Sequence, residues 1–199
     1  GSIIPVPGRD IFVQAWYQGG VLVVDFTDST NPVEIAFFDR GPLDEDELIT
    51  AGYWSTYWYG GYIYGTEIAR GLDVFALNPS DYLTANEIAA ASLQEANLTV
   101  NAQTQVQVVW PAVPVVARAY IDQLQRSNVI TNAQVQQLDS VLVEVERAFS
   151  SNSSERSLAS QLNELAVSLE EQGNGISGRS RARYLLLSQN LEEMARQLR

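Results

Sequence analysis

The sequence predicts an α+β protein in which the β-structure comes first and the helices last. Three observations carry that expectation. Short apolar runs rich in aromatic and β-branched residues, punctuated by Gly and Pro, crowd into the first ninety residues. Apolar residues at helical spacing fill the last ninety. Composition also changes near residue 90: the part before it holds 15 of the 19 aromatics and 13 acids against three bases, Arg9, Arg40 and Arg70, while the remainder carries 11 acids against nine Arg. The expected division is a β segment over 1–80, a helix, extended strand and linker over 81–112 and a four-helix bundle over 113–199.

The elements follow in order. Ile11 to Tyr17 and Val21 to Phe26 read as two strands reversing at Gln18-Gly19-Gly20, where the glycines accept positive φ. The unbroken apolar run Val21-Leu22-Val23-Val24 suits a strand covered on both faces. Thr27 to Pro32 is a turn cluster, and Val33 to Phe38 is a third strand. Asp39 to Thr50, with Asp44-Glu45-Asp46-Glu47, is a polar connection. A second hairpin centres on Gly60-Gly61, with Trp54 to Tyr59 before it and Tyr62 to Ile68 after it, and Leu72 to Leu77 follows as a strand.

Thr84-Ala-Asn-Glu87 is a capping box opening a helix that runs to about Ala96. From Leu98 to Trp110, apolar and polar residues alternate with the period of a half-buried strand, which is expected to pair with a sheet edge. Beyond the prolines, Val116, Tyr120 and Leu124 mark one helix ending near Asn128. Thr131 and Gln134 form the capping box of a second, striped by Val135, Leu138, Leu142, Val145 and Phe149. Ser153 or Ser154 opens a third, with Leu158, Leu162, Leu165 and Leu169, terminated by Gly173. Tyr184, Leu187, Leu191, Met194 and Leu198 stripe the last. Short loops between such stripes predict an up-and-down four-helix bundle.

Charge and residue usage narrow the chemistry. The net charge is −12, every base is Arg, and His and Cys are absent. A catalytic triad of the usual kind, an imidazole or thiolate zinc site and a disulfide framework all need residues this sequence lacks. Strong acidity opposes binding to a phosphate backbone, so no nucleic-acid partner is expected. No apolar run is long enough to suggest direct membrane insertion.

An internal repeat is visible. Val13 to Phe26, with Gly20, aligns on Tyr64 to Leu77, with Gly71, at an offset of about 51 residues. Each copy is a strand, a turn ending in Gly and an apolar strand, the pattern of propeller blades. Gly20-Val-Leu-Val-Val-Asp25-Phe26-Thr-Asp28, followed by Asn31-Pro32-Val33, resembles the LVIVD repeat of bacterial surface and secreted β-propellers. Pro7 to Gly20 and Glu67 to Phe75 resemble the last blades of such proteins, so the likeness spans roughly residues 7–80. It implies about two blades of an incomplete propeller and an extracytoplasmic location, and it brings no settled activity. Two blades cannot close a propeller, which predicts an oligomer or complex: a protein partner or missing blades supply the rest, and the chain reads as the C-terminal part of something longer.

Candidate sites are weighed against structural roles. Trp54, Tyr57, Trp58 and Tyr59, with Tyr62 and Tyr64, form an aromatic block suited either to inter-blade core or to a partner-binding surface. Arg179, Arg181 and Arg183 sit at the unfavourable end of the last helix, which predicts pairing with acids such as Glu170 and Glu171 or with a partner. Arg9, Arg40 and Arg70 are expected to pair with carboxylates and hold loops. The acidic run 44–47 lacks the spacing of a Ca²⁺ loop and reads as a solvated turn. No catalytic residue, metal ligand or cofactor is assigned. The expectation is a non-enzymatic protein-binding or assembly subunit. Two alternatives stand beside it: part of a metal-dependent propeller oxidoreductase whose ligands lie outside this chain, and a carbohydrate- or Ca²⁺-dependent adhesion module.

Overall fold

The computed structural model of the chain describes residues 1–93 and 108–199. It divides into two compact units, Gly1–Val109 and Trp110–Arg199. Among the described residues it is an α+β protein with two antiparallel sheets and five helices.

In the first unit, β1 (Ser2–Ile4), β2 (Ile11–Ala15), β3 (Val21–Asp25) and β4 (Val33–Phe38) form one sheet in the order β1-β2-β3-β4. β5 (Tyr53–Tyr59), β6 (Tyr62–Glu67) and β7 (Gly71–Phe75) form a second in the order β5-β6-β7. Both are meanders, and they are not closed into a ring. Ser2 and Tyr53, and Ile11 and Tyr62, open corresponding strands 51 residues apart. Where β4 would recur the chain instead forms α1 (Ala85–Ser92), whose capping box is the expected one: Thr84 accepts from the Glu87 N–H while Glu87 accepts from the Thr84 N–H.

Alternation builds the core. Ile11, Val13 and Ala15 of β2 and Val21 and Val23 of β3 turn inward to meet Tyr53, Trp58 and Ile63 of the second sheet, with Leu83 and Ala91 closing one side. Leu22 and Val24 are only half-buried, so β3 is covered on one face, not the expected two. Its polar neighbours explain this, since β2 offers Gln14 opposite Leu22.

The two hairpins obey different rules. Gly60 and Gly61 both take positive φ, 56° and 86°, as a two-residue reversal requires. In the first hairpin Gln18, not a glycine, holds the left-handed backbone at φ 55°. Gly20 is needed for space instead: a Cβ there would lie 1.8 Å from the Phe38 carbonyl oxygen. This hairpin tip is stitched to the second sheet, with the Gln18 N–H donating to Ala51 O (3.0 Å) and the Tyr53 N–H to Trp16 O (3.0 Å).

The second unit consists of α2 (Pro114–Arg126), α3 (Asn132–Ser151), α4 (Arg156–Asn174) and α5 (Gly178–Gln197). Most of the predicted stripes are its core: Val116, Tyr120, Leu124, Leu138, Leu142, Val145, Leu158, Leu162, Leu169, Tyr184, Leu187, Leu191, Met194 and Leu198 are buried, whereas Val135, Phe149 and Leu165 are half-buried. Hydrogen bonds fix the helix directions. Ser188 Oγ donates to Ala166 O (2.8 Å), and the Glu155 N–H donates to Leu198 O (2.9 Å), so α4 and α5 run antiparallel. Arg183 near the start of α5 reaches Ser127 after α2, and Gln197 at its end reaches Ala112 before α2. Gly173 does not end α4. It lies buried inside the helix, because a Cβ there would come within 2.9 Å of the Tyr184 Cβ; the helix stops one residue later, with Gly175 as its cap. Nor do Ser153 or Ser154 cap α4, whose first flanking residue is Glu155.

The helix expected after Thr84 groups with the β unit, where Glu87, Ile88 and Ala91 pack. Most of the alternating segment from Leu98 to Trp110 lies outside the described residues.

Candidate protein-binding surface

The second sheet has two chemically different faces. Inward lie Tyr53, Trp58, Ile63, Gly65 and Phe75; outward lie Tyr57, Tyr59, Tyr62, Tyr64, Leu72 and Val74. Period-two alternation produces the split, and the register sets the outward residues side by side: Tyr59 opposite Tyr62, and Tyr57, Tyr64 and Val74 in one row. A register shift between Tyr53 and Ser55 lets Trp54 and Ser55 both escape the core. Trp54 is 65% exposed and leans on Tyr17 at 5.3 Å between ring centres. Tyr59 and Tyr62 are 50% and 48% exposed, Leu72 and Val74 63% and 52%. The outward residues of this sheet carry no charge, in the half of the chain that holds 13 of the 24 acids.

Polar contacts that involve all three of the scarce bases brace the β unit. Tyr53, Phe38 and Phe75 pack as a ring cluster, with Phe38 and Phe75 centred 4.7 Å apart. Asp73 takes a hydrogen bond from the Tyr53 hydroxyl at 2.6 Å and pairs with Arg40, whose guanidinium also lies 5.7 Å from the Phe38 ring centre. Burial, then this hydrogen bond, push the Tyr53 phenol far above its ordinary range. Arg9 bridges Asp25 (2.6 Å) and Glu87 (2.9 Å) and donates to Tyr82 O (2.7 Å). Arg70 pairs with Glu67 at 3.8 Å. Glu67 itself accepts from the N–H groups of Gly52, Ala69 and Arg70.

The acidic run is locally satisfied: Asp44 accepts from the N–H groups of Asp46 (2.8 Å) and Glu47 (2.9 Å), which hold its carboxyl below the usual range. Among the described residues no three side chains of His, Cys, Asp or Glu type converge as metal ligands. A hollow of about 500 Å³ beneath residues 39–49 is lined by Arg40, Arg70 and Glu67, all engaged in the contacts above. A second, apolar cleft of about 530 Å³ lies between the β4 and β7 sides of the two sheets, lined by Val21, Val23, Ile35, Phe38, Ile63, Phe75 and Leu77.

The residues singled out in the sequence therefore separate. Trp54 and Tyr59 are exposed and Tyr57 is half-buried, but Trp58 is fully buried and serves as core, because the strand's alternation turns it away from its neighbours. Arg179 and Arg181 are exposed and Arg183 half-buried in the first two turns of α5, in the other unit. Arg183 donates to Ser127 Oγ at 3.3 Å. Leu72 and Val74 escaped the sequence reading. Their signal is the odd–even split of Gly71-Leu-Asp-Val-Phe75, legible once Asp73 is known to turn inward.

Comparison with known proteins finds no matching family model, no matching curated protein and no matching solved structure.

Proposed function

We propose that the chain is a non-enzymatic assembly subunit whose sheets are blade-type modules, and that the outer face of β5–β7 packs against a further sheet of the same kind, supplied by a second copy. The observation that carries this reading is the uncharged outward row of Tyr57, Tyr59, Tyr62, Tyr64, Leu72 and Val74. Aromatic side chains of this sort dominate interface energetics, and each apolar side chain fully covered contributes about 1.5–3 kcal/mol. The two meanders at a 51-residue offset support the blade assignment, since propeller blades are antiparallel meanders stacked face to face. The likeness to surface and secreted propellers adds an extracytoplasmic setting to the proposal.

Sedimentation velocity of the full chain across a concentration series tests it. Moderate salt screens the net charge of −12, which otherwise opposes self-association. The mass is expected to rise with concentration, and the paired change Tyr59→Glu with Tyr62→Glu to return the chain to monomer without loss of its folded spectrum. A wild-type chain that stays monomeric at every concentration overturns the reading.

A further inference from the structure

The second sheet stops one strand short of the first. β4 completes the first meander, whereas at the same offset the chain turns into α1, leaving β7 as a sheet edge among the described residues. Of the devices that usually protect an edge, this one has neither a proline nor a lysine. The single charge of Gly71–Phe75, Asp73, has one carboxylate oxygen on Arg40 and the other on the Tyr53 hydroxyl.

Beside the edge lies the apolar cleft of about 530 Å³. A strand added to β7 would turn every second side chain into that cleft, against Val21, Val23, Ile35 and Leu77, and the opposite set toward the outer face. The lip contributes Glu34, which is exposed and makes no ion pair among the described residues. The surrounding half of the chain carries 13 acids and three bases. Both favour a basic side chain on the incoming strand.

We propose that the β7 edge and the adjoining cleft form a strand-addition site for an extended segment of a partner protein, apolar at every second position and carrying Arg or Lys opposite Glu34. Main-chain hydrogen bonds would supply affinity and the cleft would supply selectivity for the alternating pattern. The proposal rests on the reading that the chain works through protein contact, but it uses the edge and the space between the sheets rather than the outer tyrosine face.

The test uses the full chain and a fluorescein-labelled synthetic peptide, Thr-Arg-Thr-Val-Thr-Val-Thr-Val-Thr, whose Arg lies in the same row as its Val residues. Saturable anisotropy and slowed amide exchange over residues 71–77 are expected on binding. Leu77→Glu in the cleft, and independently Glu34→Arg at the lip, are each expected to weaken binding about tenfold or more. The same peptide with Pro at its central position is expected not to bind. The outer-face pair Tyr59→Glu with Tyr62→Glu is expected to leave peptide affinity within about twofold while abolishing self-association, which separates this site from the assembly face. No saturable binding, or binding indifferent to both Leu77→Glu and Glu34→Arg, overturns the proposal. So does slow exchange, without peptide, of the β7 amides that do not bond to β6: in the monomer it would mean that the chain's own residues occupy the edge, and only on self-association that a second copy does.

Discussion

Arg9 and Glu87, 78 residues apart in sequence, meet in the interior of the β unit with Nη1 2.9 Å from Oε1 and side chains only 4% and 0% exposed. The pair fastens α1 to the first sheet, and the Glu87 carboxylate serves twice, since its other oxygen closes the capping box on Thr84. Removing one member of a buried pair leaves the other charged and desolvated, at a cost of about 3–5 kcal/mol. Arg9→Met is therefore expected to destabilise the β unit by that order, read by urea unfolding followed through Trp fluorescence. Arg196→Met is the control: that side chain is 63% exposed, and its ion pairs with Glu192 and Glu193 are expected to contribute under about 1 kcal/mol.

Acid should loosen the same unit. Burial works to raise the Asp25 carboxyl, yet hydrogen bonds from Thr27 and Arg9 outweigh it and hold the group below its ordinary range. Burial likewise opposes, and three backbone N–H groups with Arg70 overcome, a rise at Glu67. In the pH range where ordinary carboxylates take up protons, the unfolded chain binds more protons than the folded one. Stability contributed by these groups is thus fully present above the ordinary carboxylate pKa and is lost as pH falls through the folded value. Melting temperature is expected to drop between about pH 5 and pH 3, and Asp25→Asn to be less stable at neutral pH but to show a flatter profile across that window. An unchanged profile in Asp25→Asn would remove this carboxylate from the account.

Much of this architecture was legible because it follows from periodicity. The helical stripes from Val116 to Leu198, the capping residues Thr84 and Thr131, the Gly60-Gly61 hairpin and the carboxylate partners of Arg9, Arg40 and Arg70 all depend on local spacing or charge scarcity. What escaped depends on which way a residue faces across space. Trp58 and Tyr59 are adjacent aromatics on opposite faces of β5, and only the packing of that strand against the rest of the β core decides which of them is buried. Gly173 carries the signature of a helix terminator, but the closeness of Tyr184, a residue of the next helix, sets its role. Gly20 was expected to supply backbone freedom and supplies clearance for β4 instead.

Alkali should reveal the buried phenols. Desolvation raises Tyr53, Tyr120 and Tyr184 above the ordinary value, Tyr120 to about 12. Groups with raised folded values contribute stability that is complete below about pH 10 and disappears as pH climbs through the folded value. Absorbance titration of the phenolates is expected to show a late phase, from these three groups, that coincides with unfolding. Tyr53→Phe should remove one group from the late phase. It should also cost about 1–3 kcal/mol, because Asp73 loses the hydroxyl that donates to it at 2.6 Å.

Two forces oppose each other at Gly173, and their magnitudes decide the outcome of Gly173→Ala. Ala in a helix interior is favoured over Gly by about 1 kcal/mol. Against that, the added Cβ would sit 2.9 Å from the Tyr184 Cβ, an atom anchored on the α5 backbone rather than at the end of a flexible side chain. Tyr184 cannot retreat without moving its hydroxyl from Val129 O, which it reaches at 2.6 Å, so α4 and α5 must separate locally. Overpacking of this kind costs about 1–3 kcal/mol, which exceeds or cancels the propensity gain. The helical unit is expected to melt at the same or a lower temperature in Gly173→Ala. Adding Tyr184→Gly should make the Gly173→Ala change stabilising, since the Cβ it would meet is then gone and only helix propensity is left. A double-mutant cycle in thermal unfolding measures the sign of that coupling; a Gly173→Ala effect identical in both backgrounds would show that Tyr184 does not set the requirement for glycine.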